Sequence, residues 1–292
     1  MLIRKKSLKI QERLGMRIGI AYGSRQIPVV KNMDQTLAVL EELYRSGFKA
    51  FMLPRELFQG IETISDLYKE HYNNLLKIKN IASKYNIELA LHNHKMPTDS
   101  RIDETFKIYC NVANVMDARL FTIHPTFFQR MPQDQALRLV VHKVNEIVNE
   151  LRIRTNIGIE TTGSTEELGS VEDVIEIVKR TTRTEPVLNW AHIHGRSSGM
   201  LTSESDFRRI LDKIRGDIGN QWLRNAFFIF SGASYGPSGI ISHRSIKGSD
   251  LSLEHLIKSI QSLNIKGTLI FETPGREKDV LDVLEDLADM VR

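Results

Sequence analysis

The chain has 292 residues, of which 41% are hydrophobic and 26% charged, with a formal net charge of +4. That is enough apolar material for one full core, within the size range of a single α/β barrel, and the mild positive balance permits a polyanionic partner without requiring one. The lone cysteine, Cys110, excludes an internal disulfide and a Cys-based zinc site, no apolar run reaches the ~18 residues of a membrane span, and the charged first fifteen residues lack the apolar core of a secretory signal, so a cytoplasmic protein with no membrane partner is expected.

Residues 1–15 read as a basic N-terminal extension, and 16–292 as one domain. The extension is either a helix packed on that domain or a leader ahead of a true start at Met16. From Met16 the pattern alternates strand and helix. The first strand, 16–21, leads to a helix near 33–46 with Leu37, Leu40 and Leu43 at helical spacing and Gly47 behind it. The second strand, 49–53, stops at Pro54, and a long helical region covers about 62–85. The third strand ends at His92 and is followed by a helix over 102–116, in which Cys110 reads as a buried structural thiol. The fourth strand ends at His124, before Pro125. Pro132 then suits the first turn of a helix to Leu151, whose Val140, Val144, Ile147 and Val148 share a face.

The fifth strand runs from Thr155 to Glu160, and Ser170 to Asp173 reads as a capping-box variant opening the next helix. The sixth strand, 186–190, precedes Ala191-His192-Ile193-His194 and a helix over 203–215. The seventh, 226–230, precedes a long Gly-rich loop over 231–250 that holds Tyr235, His243, Arg244 and Lys247. A loop of that length is generally functional or disordered. A helix over 252–263, an eighth strand ending at Glu272, and a last helix carrying Val280, Leu284, Leu287 and Val291 complete the chain.

Eight strands joined by helices must be parallel, and eight such units close into a (β/α)8 TIM barrel. A doubly wound open sheet is disfavoured, because Ala21-Tyr22-Gly23-Ser24 lacks the Gly-rich phosphate turn. In a barrel the C-terminal strand tips share one mouth. His92, His124, Glu160, His192 and Glu272 are then expected to converge there. Imidazole with carboxylate suits Zn²⁺, Mn²⁺ or iron rather than calcium, and a carboxylate can bridge two ions about 3.5–4 Å apart for phosphodiester hydrolysis. His243 is a further ligand or, with its basic neighbours, a phosphate contact.

These residues resemble the endonuclease IV family of abasic-site endonucleases, within the xylose-isomerase-like barrels. The landmarks are Leu91-His92, Ile123-His124-Pro125, Ile159-Glu160-Thr161-Thr162-Gly163, Ala191-His192 and Ile270-Phe271-Glu272. The Ala-His-Ile-His run and the Phe-Ser-Gly turn after the seventh strand are most similar to a divergent archaeal-type branch. The resemblance implies that His92, His124 and Glu160 hold a first ion. It implies that Glu160 bridges to a second ion bound by Glu272, and that His192 and His243 match ligands of a third. Two ligands are replaced in the second set, by Asn189 and near Ile229, and one in the third, by Ile241. One or two ions, Zn²⁺ or Mn²⁺, are therefore expected, with His194 as a possible substitute ligand or as a neighbour of Arg196.

The activity implied is metal-dependent hydrolysis of abasic-site DNA by a monomer. Glu160 and Glu272 would be the catalytic carboxylates, and water activated at the Glu160 centre the nucleophile. Arg25, Arg55, Arg130, Arg196 and Arg244 are the basic residues on that face. Two alternatives stand. One is a sugar isomerase or epimerase barrel, which uses a carboxylate on the sixth strand and an imidazole on the seventh. The other is a non-catalytic DNA- or metal-binding relative.

Overall fold

The computed structural model describes residues 2–93, 101–128, 131–151 and 153–291. Eight parallel strands close in the order β1-β10-β7-β6-β5-β4-β3-β2. They are β1 (Met16–Ala21), β2 (Ala50–Pro54), β3 (Glu88–Asn93), β4 (Leu120–Ile123), β5 (Asn156–Glu160), β6 (Thr184–Asn189), β7 (Ala226–Phe230) and β10 (Gly267–Phe271). The outer ring is α2 (Met33–Ser46), α4 (Tyr72–Tyr85), α5 (Ile102–Met116), α6 (Gln133–Leu151), α7 (Val171–Arg180), α9 (Glu204–Ile218) and α10 (Leu253–Ser262), closed by α11 (Glu277–Asp282) and α12 (Leu284–Met290).

Local chemistry sets these boundaries. Asn32 caps α2, its side chain accepting from Gln35 N at 3.0 Å, and Gly47 ends the helix at φ 82°, a conformation that costs glycine nothing. Ser170 and Asp173 form the reciprocal box that opens α7. Cys110 is buried on α5, and burial pushes its thiol up to about 12, as befits a packing residue. No helix among the described residues is long and apolar enough to cross a membrane.

Residues 1–15 include a helix, α1 (Leu2–Leu14), with Ile10 and Leu14 buried. Gln11 ties it to the barrel. Its Nε2 donates to Gly47 O at 2.8 Å, and its Oε1 accepts from Ile18 N at 2.8 Å.

Three elements differ from the sequence expectation. The helical region at 62–85 is divided into α3 (Ile64–Asp66), a π turn over Leu67–His71 and α4. Residues 190–196, expected to continue the sixth strand and its loop, form a seven-residue helix of about two turns, α8 (Trp190–Arg196), capped by the Asn189 side chain. The long loop at 231–250 contains an antiparallel hairpin, β8 (Gly232–Gly236) with β9 (Gly239–Arg244), joined through Pro237 and Ser238. Ile240 anchors the hairpin where Gly163 and Gly195 have no side chain; a Cβ at Gly163 would fall 2.1 Å from Ile240 Cγ2.

The barrel has two apolar compartments. The larger lies between strands and helices. The smaller fills the interior and includes Ala90, Leu120, Val187, Phe227, Ile229 and Ile270. Strand side chains alternate between faces. The residues two places further along the interior rows are therefore His92, Thr122, Asn189, Ser231 and Glu272. The packed interior is the floor, and these polar residues with His124 and Glu160 form the layer above it at the mouth.

Candidate metal centre

Two triplets of ligand-type side chains occupy this layer. In each, one ligand atom per residue lies within 4.8 Å of the others: His92, His124 and Glu160 in the first, His192, His243 and Glu272 in the second. Glu160 is fully buried. His92 Nε2 lies 3.2 Å from its Oε2, and His124 Nε2 lies 3.3 Å from its Oε1. In the second triplet His243 Nε2 is 3.5 Å from Glu272 Oε2. The rings form a continuous arc, with centroid separations of 6.0 Å for His92 and His124, 5.4 Å for His124 and His192, and 5.3 Å for His192 and His243.

The outer hydrogen bonds decide which nitrogen each ring presents. His192 Nδ1 meets the carbonyl of Thr161 at 2.7 Å, an acceptor only, so Nδ1 carries the proton. Ser231 spends its one hydroxyl proton on Gly232 O at 2.9 Å, so at 2.7 Å it accepts from His243 Nδ1. The Tyr22 hydroxyl donates to Glu272 Oε1 and accepts from His92 Nδ1 at 2.9 Å. In His92 and His243, Nδ1 is held by a hydroxyl and Nε2 is aimed at a carboxylate; His192 has its Nδ1 on the Thr161 carbonyl, 3.8 Å from Glu160 Oε1. Metal-ligating histidines are oriented in this way.

The electrostatics agree. Burial alone would raise the Glu160 carboxyl; the His92 and His124 rings outweigh it and hold the group well below the usual range. Burial likewise opposes ionisation of Glu272, and His243 and His92 outweigh it. For His92 burial favours the neutral ring, but Glu160 wins and the net shift is upward. His192 is pushed down to about 4 by burial, with His243 and His124 adding to the effect. Burial, then Glu272, raises the Tyr22 phenol, which stays a donor. The centre is thus a buried anionic pair ringed by imidazoles.

A divalent ion fits this donor set. Glu160 Oε2 is buried and makes no hydrogen bond among the described residues, yet it faces an imidazole nitrogen. Uncompensated buried carboxylate oxygens are costly, and a coordinated cation relieves that cost. His92, His124 and Glu160 could hold one ion, and His192, His243 and Glu272 another. The sequence expectation paired Glu272 with Glu160 on a shared ion; Glu272 also has a ligand atom within 4.8 Å of ligand atoms of His192 and His243.

The remaining expected residues separate clearly. Asn189 Nδ2 donates to Glu160 Oε1 and to Glu272 Oε2, each at 3.0 Å. Ile229 is buried in the interior below and has no ligand atom. Ile241 is 72% exposed. Among the described residues His194 falls in neither triplet. It is buried against Asp250, with Nε2 3.3 Å from Oδ1, and its Nδ1 accepts from Leu201 N. Arg196 is spent on the β5 loop, donating to Thr162 Oγ1, Ser164 O and Glu167 O. Arg55 lies 3.5 Å from Glu56. Arg25 and Arg244 are exposed, and Arg130 lies outside the described residues. Tyr22, read in the sequence only as part of the turn after the first strand and not as a site residue, joins the two triplets. It sits just past β1 at φ 72°, a region bulky side chains rarely enter, and strain of that kind collects at functional sites.

The fold and the paired triplets define a parallel barrel whose C-terminal mouth carries two groups of side chains that could hold metal. Comparison with known proteins gives its family. Residues 40–292 match the xylose isomerase-like TIM barrel family, and the chain belongs to it; within it the chain is related to the endonuclease IV group. It is 24% identical over 249 residues to the uncharacterized protein MJ0133 of Methanocaldococcus jannaschii, covering 80% of this chain and 89% of that protein. Among solved structures, SacUVDE superposes with a TM-score of 0.70 at 13% identity, covering 94% of this chain and 99% of that one. D-psicose 3-epimerase of Clostridium cellulolyticum H10 gives 0.63 at 11%, covering 94% and 96%. The IolI protein with a binding zinc atom gives 0.64 at 13%, covering 94% and 95%. At these identities the likeness is one of fold.

Proposed function

We propose that this protein is a metal-dependent phosphodiester hydrolase that cuts DNA at abasic sites, in the manner of the endonuclease IV family. The observation that carries the reading is the pair of His–His–Glu triplets facing one another in a single barrel mouth. When bound, Zn²⁺ or Mn²⁺ supplies Lewis acidity for a water and neutralises charge on the phosphate. Glu160 and Glu272 anchor the two sides and present carboxylate oxygens to the reacting region. Tyr22 remains a proton donor beside Glu272. The exposed cations Arg25, Arg244 and Lys247, on segments that follow strands, suit a phosphate backbone, which makes binding salt-dependent. An abasic nucleotide is a favourable target, since extrusion costs least where pairing is already lost.

Sugar isomerisation is the weaker reading. Its single ion calls for a carboxylate and an imidazole where this chain has Asn189 and Ile229, and it leaves His92 and His124 without a metal role. The deciding experiment is incubation of the protein with a duplex carrying one abasic site, with Zn²⁺ or Mn²⁺ and with chelator. Nicking on the 5′ side of the site, abolished by chelator, is the expected result. Absence of nicking with every divalent ion rejects the proposal, and tight duplex binding under those conditions identifies a non-catalytic relative.

A further inference from the structure

The space between the two triplets is filled by hydrogen-bond donors of the protein itself. Asn189 Nδ2 lies 3.0 Å from Glu160 Oε1 and 3.0 Å from Glu272 Oε2. Its Oδ1 accepts from His192 N at 3.3 Å, which fixes the end of the amide that faces the carboxylates. The Tyr22 hydroxyl donates to the other Glu272 oxygen and accepts from His92 Nδ1. Both oxygens of Glu272 and one of Glu160 therefore already receive a neutral donor. Ile229, at the top of the apolar interior, adds no ligand from β7. Two buried carboxylates near one another repel unless something between them offsets the charge. An ion shared by both would do so, and so does an amide that donates to each.

We propose that Asn189 and Tyr22 stand where a shared ion would otherwise sit, so that this chain binds two ions at separate sites tied together by hydrogen bonds. The inference rests on the reading of the mouth as a metal centre and is independent of the substrate. It gives each residue a distinct role. Asn189 cross-links Glu160 to Glu272. Tyr22 links His92 of the first triplet to Glu272 of the second and orients the His92 ring.

The substitution N189D tests this directly. Aspartate caps a helix as well as asparagine does, so the start of α8 is preserved. It replaces the two N–H donors with a third carboxylate and reopens the middle position. Wild-type and variant proteins would be loaded with Zn²⁺, freed of excess ion by gel filtration and assayed for zinc per chain by mass spectrometry. Two ions in the wild type and three in N189D are expected. Three in the wild type, or an unchanged two in a folded N189D, overturns the inference while leaving the metal centre intact; no zinc in the wild type overturns both. Y22F provides a second test, since it keeps the ring and removes the link. Two ions should remain, with zinc affinity at the first triplet lower by about 10–100-fold, the usual cost of losing an outer partner of a ligating histidine. Equal affinities for Y22F and wild type by calorimetric titration contradict the role of Tyr22.

Discussion

The two triplets reach the same mouth by different routes. His92, His124 and Glu160 come from the ends of three neighbouring strands, β3, β4 and β5, and barrel register alone brings them together. His192 comes from the first turn of α8, His243 from a hairpin laid across the mouth, and Glu272 from just beyond β10. The first triplet is built into the rigid frame. The second depends on the cap of a seven-residue helix and on the seating of Ile240 over Gly163 and Gly195. Sites carried on strands are held more precisely than sites on loops. The first triplet is therefore the better organised of the two.

The sharpest way to break this comparison is to remove one carboxylate at a time. Glu160→Gln should empty the first triplet and lower nicking by more than about 100-fold, beyond the cost of losing an outer partner. Glu272→Gln should empty the second and leave zinc at the first. Zinc counting on both variants checks this, and loss of all zinc from either one would mean a single cluster.

A smaller effect sharpens the comparison in the metal-free protein. Glu160 outweighs burial and raises His92, whereas burial with its imidazole neighbours takes His192 from 6.5 to about 4. As pH falls, His92 gains its proton first. Its contribution to stability is complete below the unfolded-state value of 6.5 and is lost as pH rises through its raised folded value. His192 acts oppositely. Between about 4 and 6.5 the unfolded chain binds the proton and the folded chain does not, so stability rises with pH in that window. Histidine resonances followed by NMR in chelator-treated protein should give this order; His192 titrating above His92 would refute it.

The same contrast explains what was legible in the sequence. Each barrel strand was marked by an apolar run, and the first triplet by ligand-type residues at strand tips, where strand parity fixes their direction. The hairpin was hidden because Gly232, Ser234, Gly236, Pro237, Ser238 and Gly239 have little strand propensity; its register comes from packing against α8 and the β5 loop. α8 was hidden by its seven-residue length and by Gly195, although Asn189 three places before His192 is a helix-cap signal. Tyr22 carried no signal of metal chemistry, since its role lies in orienting His92 across 70 residues of chain. The pairing of Glu272 with His192 and His243 likewise depends on where the hairpin lands.

The most direct measurement is anomalous diffraction at the zinc edge from zinc-loaded crystals. Two separate peaks are predicted, one among His92, His124 and Glu160 and one among His192, His243 and Glu272, with none between Glu160 and Glu272. A peak shared by the two glutamates, with the Asn189 amide displaced, would contradict the account.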